Sequence, residues 1–208
     1  MKISYAITVC NEFVEIQKLI AFLLKHKRTE DSVVVLYDAT NGDPEIESFL
    51  RSHSINGEFS WHKGKFEGHF ADWKNKLAKL CTGDYIFQID ADELPAITLI
   101  EALPSILSAN DGVDMIWVPR VNTVSNLTVD HVKTWGWTVN SQGWVNWPDW
   151  QGRIYQNHPS IQWENRVHEK LTGIQTFTQL PMEEPYSLYH AKTIERQERQ
   201  NNYYEQLG

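Results

Sequence analysis

Short apolar runs alternate with helical stretches through the first half of the chain, and each run ends in a polar loop. Ile3 to Val9 and Ser32 to Tyr37 are β-rich and too short for helices. Between them, Phe13, Ile16, Ile20, Leu23 and Leu24 recur at helical spacing, and the run ends on Lys25-His26-Lys27-Arg28, which suits a helix C-terminus. Pro44 suits the first turn of a helix over Glu45 to Arg51. Phe59-Ser60-Trp61 predicts a strand, Lys63 to Gly68 a mobile loop, Phe70 to Leu80 a helix, Tyr85 to Ile89 a buried strand, Leu99 to Leu107 a helix and Asp114 to Val118 a strand. Such alternation predicts an α/β chain with a mainly parallel, doubly wound, Rossmann-like sheet and helices on both faces.

In sheets of that kind ligands bind beyond the carboxyl ends of the strands. Three polar loops fall there: Cys10-Asn11-Glu12, Asp38 to Asp43, and Asp90 to Glu93. Asp90 and Asp92 project the same way if the chain stays extended, and two such acids need a counter-charge, which a hard cation supplies. They read equally as a solvated strand end leading into a helix, with Asp92 or Glu93 near the N-cap and Pro95 at its start. Asn11 and Glu12 open the first helix, where backbone N–H groups can hold a nucleotide or the side chains simply cap. Asp38 reads as an acceptor for a base or ribose, or as an Asx-turn. Asn75 and Lys76 fit either a phosphate or base contact or a solvated helix face.

Tryptophan divides the chain. Seven of the nine lie between residues 117 and 163. Trp135 to Val139 and Gly143 to Trp147 predict short strands around a turn, and Gly152 to Tyr155 and Val167 to Leu171 predict two more. An acid between aromatics, Trp147-Pro148-Asp149-Trp150 with Arg153 after it, meets the needs of a sugar site. It fits equally a packed aromatic layer with Asp149 paired to Arg153. In Arg166 to Lys170 the alternation predicts His168 and Lys170 on one face. His190 ends another short apolar run. The remaining histidines, His26, His53, His62, His69, His131 and His158, lack supporting context. The tail from Thr193 to Gln206 predicts a polar helix, solvated or packed on a partner.

The formal net charge is −8, which excludes a general nucleic-acid binder. Two cysteines, Cys10 and Cys81, exclude a disulfide scaffold and read as reduced thiols. No apolar run reaches membrane-spanning length and no leader pattern is present, so a cytoplasmic location is expected.

Ile7 to Glu12, Asp38 to Asp43, Asn75 and Gly83 to Glu93 together resemble glycosyltransferase family 2, over roughly residues 3–107, with weaker similarity at 149–153, 166–171 and 188–192. The Val-His-Glu run at 167–169 resembles lipopolysaccharide-type glucosyltransferases of that family. The resemblance implies a single GT-A domain over 1–208, with a nucleotide-sugar half at 1–110 and an acceptor half at 111–208. It implies a hexosyltransferase using Mn²⁺ or Mg²⁺ and a nucleotide-diphosphate sugar, UDP being the expected nucleotide. It places Val9, Asn11, Glu12, Asp38, Asn75, Lys76, Asp90 and Ala91 about the donor. The metal falls to Asp90, Asp92 and His190, and the acceptor, a glycan or lipid-linked molecule, to Trp147, Trp150, Arg153 and His168. Transfer with inversion needs a carboxylate base, Asp149 or Glu169, and Pro148 replaces the Glu usual before that Asp. The chain is short for the family, so its acceptor region is expected to be reduced or completed by a partner. The oligomeric state is open.

Two other classes compete. A nucleotidyltransferase also uses carboxylates and Mg²⁺ at strand ends, but would carry a Gly-rich basic loop where this chain has Val9-Cys10-Asn11-Glu12. A non-catalytic carbohydrate-binding protein would use the aromatic half and survive Asp92→Asn.

Overall fold

The computed structural model describes residues 1–207, and side chains as far as Tyr203. Strands β1 (Ile3–Val9), β2 (Ser32–Asp38), β3 (Ser60–Gly64) and β4 (Tyr85–Asp90) are parallel and stand in the order β4-β1-β2-β3. Their crossovers are α1 (Phe13–His26), α2 (Pro44–His53) and α3 (Phe70–Ala78). The order reverses between β1 and β4, and at such a switch point the loops after the strands splay apart and leave a crevice. Cys10 to Glu12 and Asp90 to Asp92 flank it.

Side-chain alternation sorts the two faces. Tyr5, Ile7, Val33 and Val35 face α1, α2 and α4 (Ile97–Ala109), whereas Ala6, Val34, Leu36 and Ile86 face α3. The α1 contribution is Ile16, Leu19, Ile20 and Leu23, the stripe its spacing predicts. Asp43 caps α2 and Pro44 takes its first turn.

Beyond β4 the sheet continues through β8 (Gln151–Gln156), β6 (Met115–Val118) and β11 (Phe177–Gln179), with β8 antiparallel to both neighbours. A smaller sheet of β5 (Glu93–Pro95), β12 (Leu188–Thr193) and β7 (Arg120–Ser125) stands beside it, and β9 (Gln162–Glu164) pairs with β10 (Lys170–Thr172).

Several local expectations change. Glu93 to Pro95 do not open a helix; they form β5, which pairs with β12, and α4 starts only at Ile97. Lys63 and Gly64 belong to β3, and Lys63 is paired with Glu47, so the expected loop shortens to Lys65–His69. Residues 135–147 make only isolated bridges among the described residues, Val145 with Val139 and with Asn122, after a short helix, α5 (Val129–Thr134), that the sequence did not announce. Residues 166–168 are a bend in which His168 has φ 53°, so the strand expected from Val167 starts only at Lys170. The tail is helical as expected, α6 (Ile194–Leu207), but Arg196 in its first turns is ion-paired to α1 and the Asp90–Asp92 loop rather than simply solvated.

Candidate active site

The smaller sheet does the aiming. Register places Glu93, His190 and Asn122 opposite one another on adjacent strands. Glu93 is fully buried, and its Oε1 accepts from Arg120 at 2.8 Å and from Arg153 at 2.7 Å. Arg153 sits at a β-bulge: Ile154 pairs with Ile116 but Gly152 pairs with Trp117, so Arg153 is the extra residue. Bulges re-aim side chains in this way. The same guanidinium holds Asp90, whose other oxygen lies 3.5 Å from Lys74 Nζ. Burial works to raise the Asp90 pKa, but Arg153 and Lys74 outweigh it and hold the carboxyl far below its usual range. Lys74, buried on α3, also pairs with Glu169 at 2.6 Å and lies 4.7 Å over the Trp163 ring.

From Arg120 the network runs on to Asp149. Asp149 Oδ2 accepts from Arg120 Nη2 at 2.7 Å, Arg120 Nε at 2.8 Å and Asn122 Nδ2 at 2.6 Å, while Oδ1 accepts from Gln151 Nε2 at 3.0 Å. Asp149 follows the cis Trp147–Pro148 bond and has φ 37°, a left-handed conformation that Asp tolerates better than most residues. The Arg120 N–H donates to the Pro148 carbonyl at 2.8 Å and ties this turn to β7.

Asn122 also orders His190. Its NH₂ faces two acceptors, Asp149 and the Val145 carbonyl, so its Oδ1 is the atom 2.8 Å from His190 Nδ1. Nδ1 therefore donates, and Nε2 faces Asp92 Oδ2 at 3.2 Å. An imidazole held by its Nδ1–H presents Nε2 as a ligand. Burial opposes ionisation of Asp92, but the His190 hydrogen bond and charge lower its carboxyl well below the usual range. Asp92 Oδ2 lies 3.4 Å from Arg196 as well.

Among the described residues no three His, Cys, Asp or Glu side chains converge into a ready cage for a metal ion. Asp92 and His190 do converge, and Asn122 already holds the imidazole at Nδ1. One or two protein ligands completed by substrate phosphates and water is the usual arrangement for Mg²⁺-type sites, so the pair fits a cation that arrives with a diphosphate. Asp90, committed to Arg153 and Lys74, stands behind that pair.

On the other side of Asp92, the Glu12 carboxylate accepts from the backbone N–H groups of Cys10 and Asn11 at 2.9 and 3.1 Å and pairs with Arg196 at 3.2 Å. The Asn11 side chain is exposed. Val9 and Ala91 are buried in the core. Asp38 is buried and accepts from the N–H groups of Thr40 and Phe66 and from Asn41. Burial, followed by the charges of Glu12 and Asp38, pushes the neighbouring Cys10 thiol up to about 12, and burial does the same to Cys81, so neither is an activated thiolate. Asn75 does not face this crevice: its amide bonds both the N–H and the carbonyl of Trp163, at 2.9 and 2.8 Å. Lys76 lies 5.5 Å from the Trp73 ring. Two residues before Lys76 on α3, Lys74 turns into the cleft.

The cleft has a volume of 760 Å³ and runs from Asp92 and His190 past Asp149 to Glu169 and His168. Trp117, Trp137, Trp150 and Trp163 line it; Trp147 does not, and stacks edge-on with Trp144 instead. Thus Asp90, Asp92, His190, Asp149, Glu169, Arg153, Trp150 and His168 share one cleft. Lys74, Arg120, Asn122 and Arg196 complete the site without having been singled out in the sequence, and Glu93, read there as a helix opener, joins them. Arg120 and Asn122 are polar at alternate positions of β7, whereas Lys74 and Arg196 are helix residues with no signal of their own.

No family model and no curated protein matches the chain. Solved structures do. The crystal structure of S. aureus TarS 1–349 in complex with UDP-GlcNAc superposes with a TM-score of 0.59 at 15% identity, over 92% of this chain and 59% of that one. TarS 1–349 with UDP gives the same TM-score at 14% identity, over 92% and 60%. Against the longer TarS crystal structure the chain covers 37% of the partner. The chain spans about three fifths of the TarS 1–349 length. With its mainly parallel sheet, helices on both faces and crevice at the β1/β4 switch point, the chain has a GT-A-like fold.

Proposed function

We propose that the chain is a metal-dependent glycosyltransferase that moves a sugar from a UDP-sugar to an acceptor hydroxyl, with inversion at the anomeric carbon. The observation that carries this reading is the hydrogen-bonded network that joins Asp92 and His190, through Asn122, to Asp149 within one aromatic-walled cleft. Support comes from the like-folded TarS chain, solved with UDP-GlcNAc and with UDP.

In this reading Asp92 and His190 hold Mn²⁺ or Mg²⁺, with Asp90 behind them. Such a cation offsets the charge that grows on a departing nucleotide diphosphate. Asn11, Glu12 and Asp38 lie on the nucleoside side. Asp149 takes the proton of the attacking hydroxyl on Oδ1, while Arg120 and Asn122 hold Oδ2 and fix its aim. Glu169, held by Lys74, is the second candidate for that proton. Trp150 and its aromatic neighbours offer flat faces to a sugar ring of a glycan acceptor, and His168 and Gln151 offer polar contacts. A lipid-linked acceptor would present the same ring.

Calorimetric titration with UDP and GDP, each with and without Mn²⁺, tests the donor. Mn²⁺-dependent UDP binding that Asp92→Asn abolishes is the expected result. The absence of any nucleotide binding, with glycan binding retained, would replace the transferase by a carbohydrate-binding module. Asp149→Asn should lower transfer about 10²- to 10⁴-fold with UDP affinity unchanged; if Glu169→Gln does this instead, the base is Glu169.

A further inference from the structure

Arg196 binds three carboxylates from three places in the fold. Its guanidinium lies 3.2 Å from Glu12, 3.0 Å from Glu15 and 3.4 Å from Asp92. Glu12 precedes α1, Glu15 stands in its first turn, and Asp92 follows β4. The Asp92 oxygen concerned is Oδ2, the same atom that faces His190 Nε2. A positive group therefore already stands where the proposed cation ligands meet. Glu12, Glu15 and Asp92 are like charges, and the guanidinium stands among all three. Farther along α6, Gln197, Gln200 and Asn201 line the cleft. The helix is thus a wall of the site, fastened at one end by Arg196.

We propose that Arg196 occupies the cation position at Asp92 in the ligand-free chain, and that α6 is a strap which yields this position when a divalent cation arrives with the donor diphosphate. The proposal rests on the donor-site reading above. A free cation must displace Arg196 from Asp92 and offers it no new partner. A cation that arrives with a diphosphate brings the replacement anion, so the exchange conserves charge pairing. The strap consequently weakens binding of the cation alone and couples its capture to donor entry.

Mn²⁺ binding to the full chain, without nucleotide, is read from the electron paramagnetic resonance signal of the free ion. Arg196→Gln should bind Mn²⁺ about tenfold more tightly than the parent. Glu15→Gln removes one anchor of Arg196 and leaves Glu12, Asp92 and His190 intact. It should tighten Mn²⁺ about twofold to threefold. Arg196→Lys keeps the charge and should stay near the parent. If Arg196→Gln does not fold, the half-exposed Glu15 position carries the test. Unchanged or weaker Mn²⁺ binding in the folded variants overturns the strap. A parallel titration with UDP and Mn²⁺ separates the two readings. A parent that binds UDP beside variants with unchanged Mn²⁺ affinity ends the strap alone. A parent that ignores UDP beside a variant with tightened Mn²⁺ ends the donor reading alone.

Discussion

Glu93 and Gln88 are both buried polar side chains, yet they should respond oppositely to removal. Glu93 is the shared counter-ion of Arg120 and Arg153. Glu93→Ala leaves Arg153, itself buried, with Asp90 alone, and a broken buried pair typically costs about 3–5 kcal/mol. Urea unfolding should show that loss, and an unmoved midpoint would show that the two arginines are satisfied without Glu93. Gln88 is completely buried in β4, and neither amide atom has a hydrogen-bond partner among the described residues. Gln88→Met removes an unsatisfied group at nearly constant volume and should be neutral or stabilising by about 1 kcal/mol. A large loss of stability would reveal a partner for the amide. The two residues also mark what was legible. Asp90, Asp92 and His190 stand out in the sequence because they end apolar runs. Glu93 follows Asp92 directly and reads as a helix opener, because its buried role depends on arginines 27 and 60 positions away.

At the level of elements, β1, α1, β2, α2, α3 and β4 could be read because each carries its own periodicity and its own stop. The elements that defeated the reading are those defined by a distant partner. β5 is three residues long and exists because β12 pairs with it. The aromatic stretch at 135–147 looks extended by composition, but its hydrogen bonds are mostly turns and side-chain contacts, such as Asn140 Oδ1 with the N–H groups of Gln142 and Trp144. Asn75 shows the same limit. Helical position alone cannot separate a ligand contact from a bracket, and the structure makes it a bracket that fastens β9 to α3 through both backbone groups of Trp163. Asn75→Ala should therefore lower stability by about 1–3 kcal/mol while UDP affinity holds. Loss of UDP affinity with full stability would restore Asn75 to the donor site. Gly83 is a bracket of another kind. A Cβ there would stand 2.7 Å from the Ser4 backbone nitrogen, so the turn into β4 packs against β1 without room for a side chain.

Across the whole molecule, the site's ion pairs set how the fold responds to acid. Asp90 and Asp92 both have pKa values below the ordinary 3.8, after their partners overcome burial. The unfolded chain then binds more protons than the folded one as pH falls. Their contribution is complete above about pH 5, declines as pH drops through the unfolded value, and is gone once the folded carboxyls protonate. Glu12 runs the other way. Its pKa is raised above 4.5 by burial. It favours the fold below that value and loses this as pH rises through its folded pKa. Glu12→Gln should therefore gain stability relative to the parent near pH 7 and gain nothing near pH 3. Asp90→Asn should do the reverse, unfolding more easily at pH 7 and approaching the parent at low pH. Urea midpoints measured from pH 3 to pH 7 on the three proteins separate the cases. Parallel curves would mean that neither carboxylate differs between folded and unfolded chains. Crossing curves of the stated sign would mean that ion-paired Asp90 supports the fold while Glu12 is held in the crevice at the β1/β4 switch point at some cost in stability. Its binding reserve would then be the cations that already neutralise it.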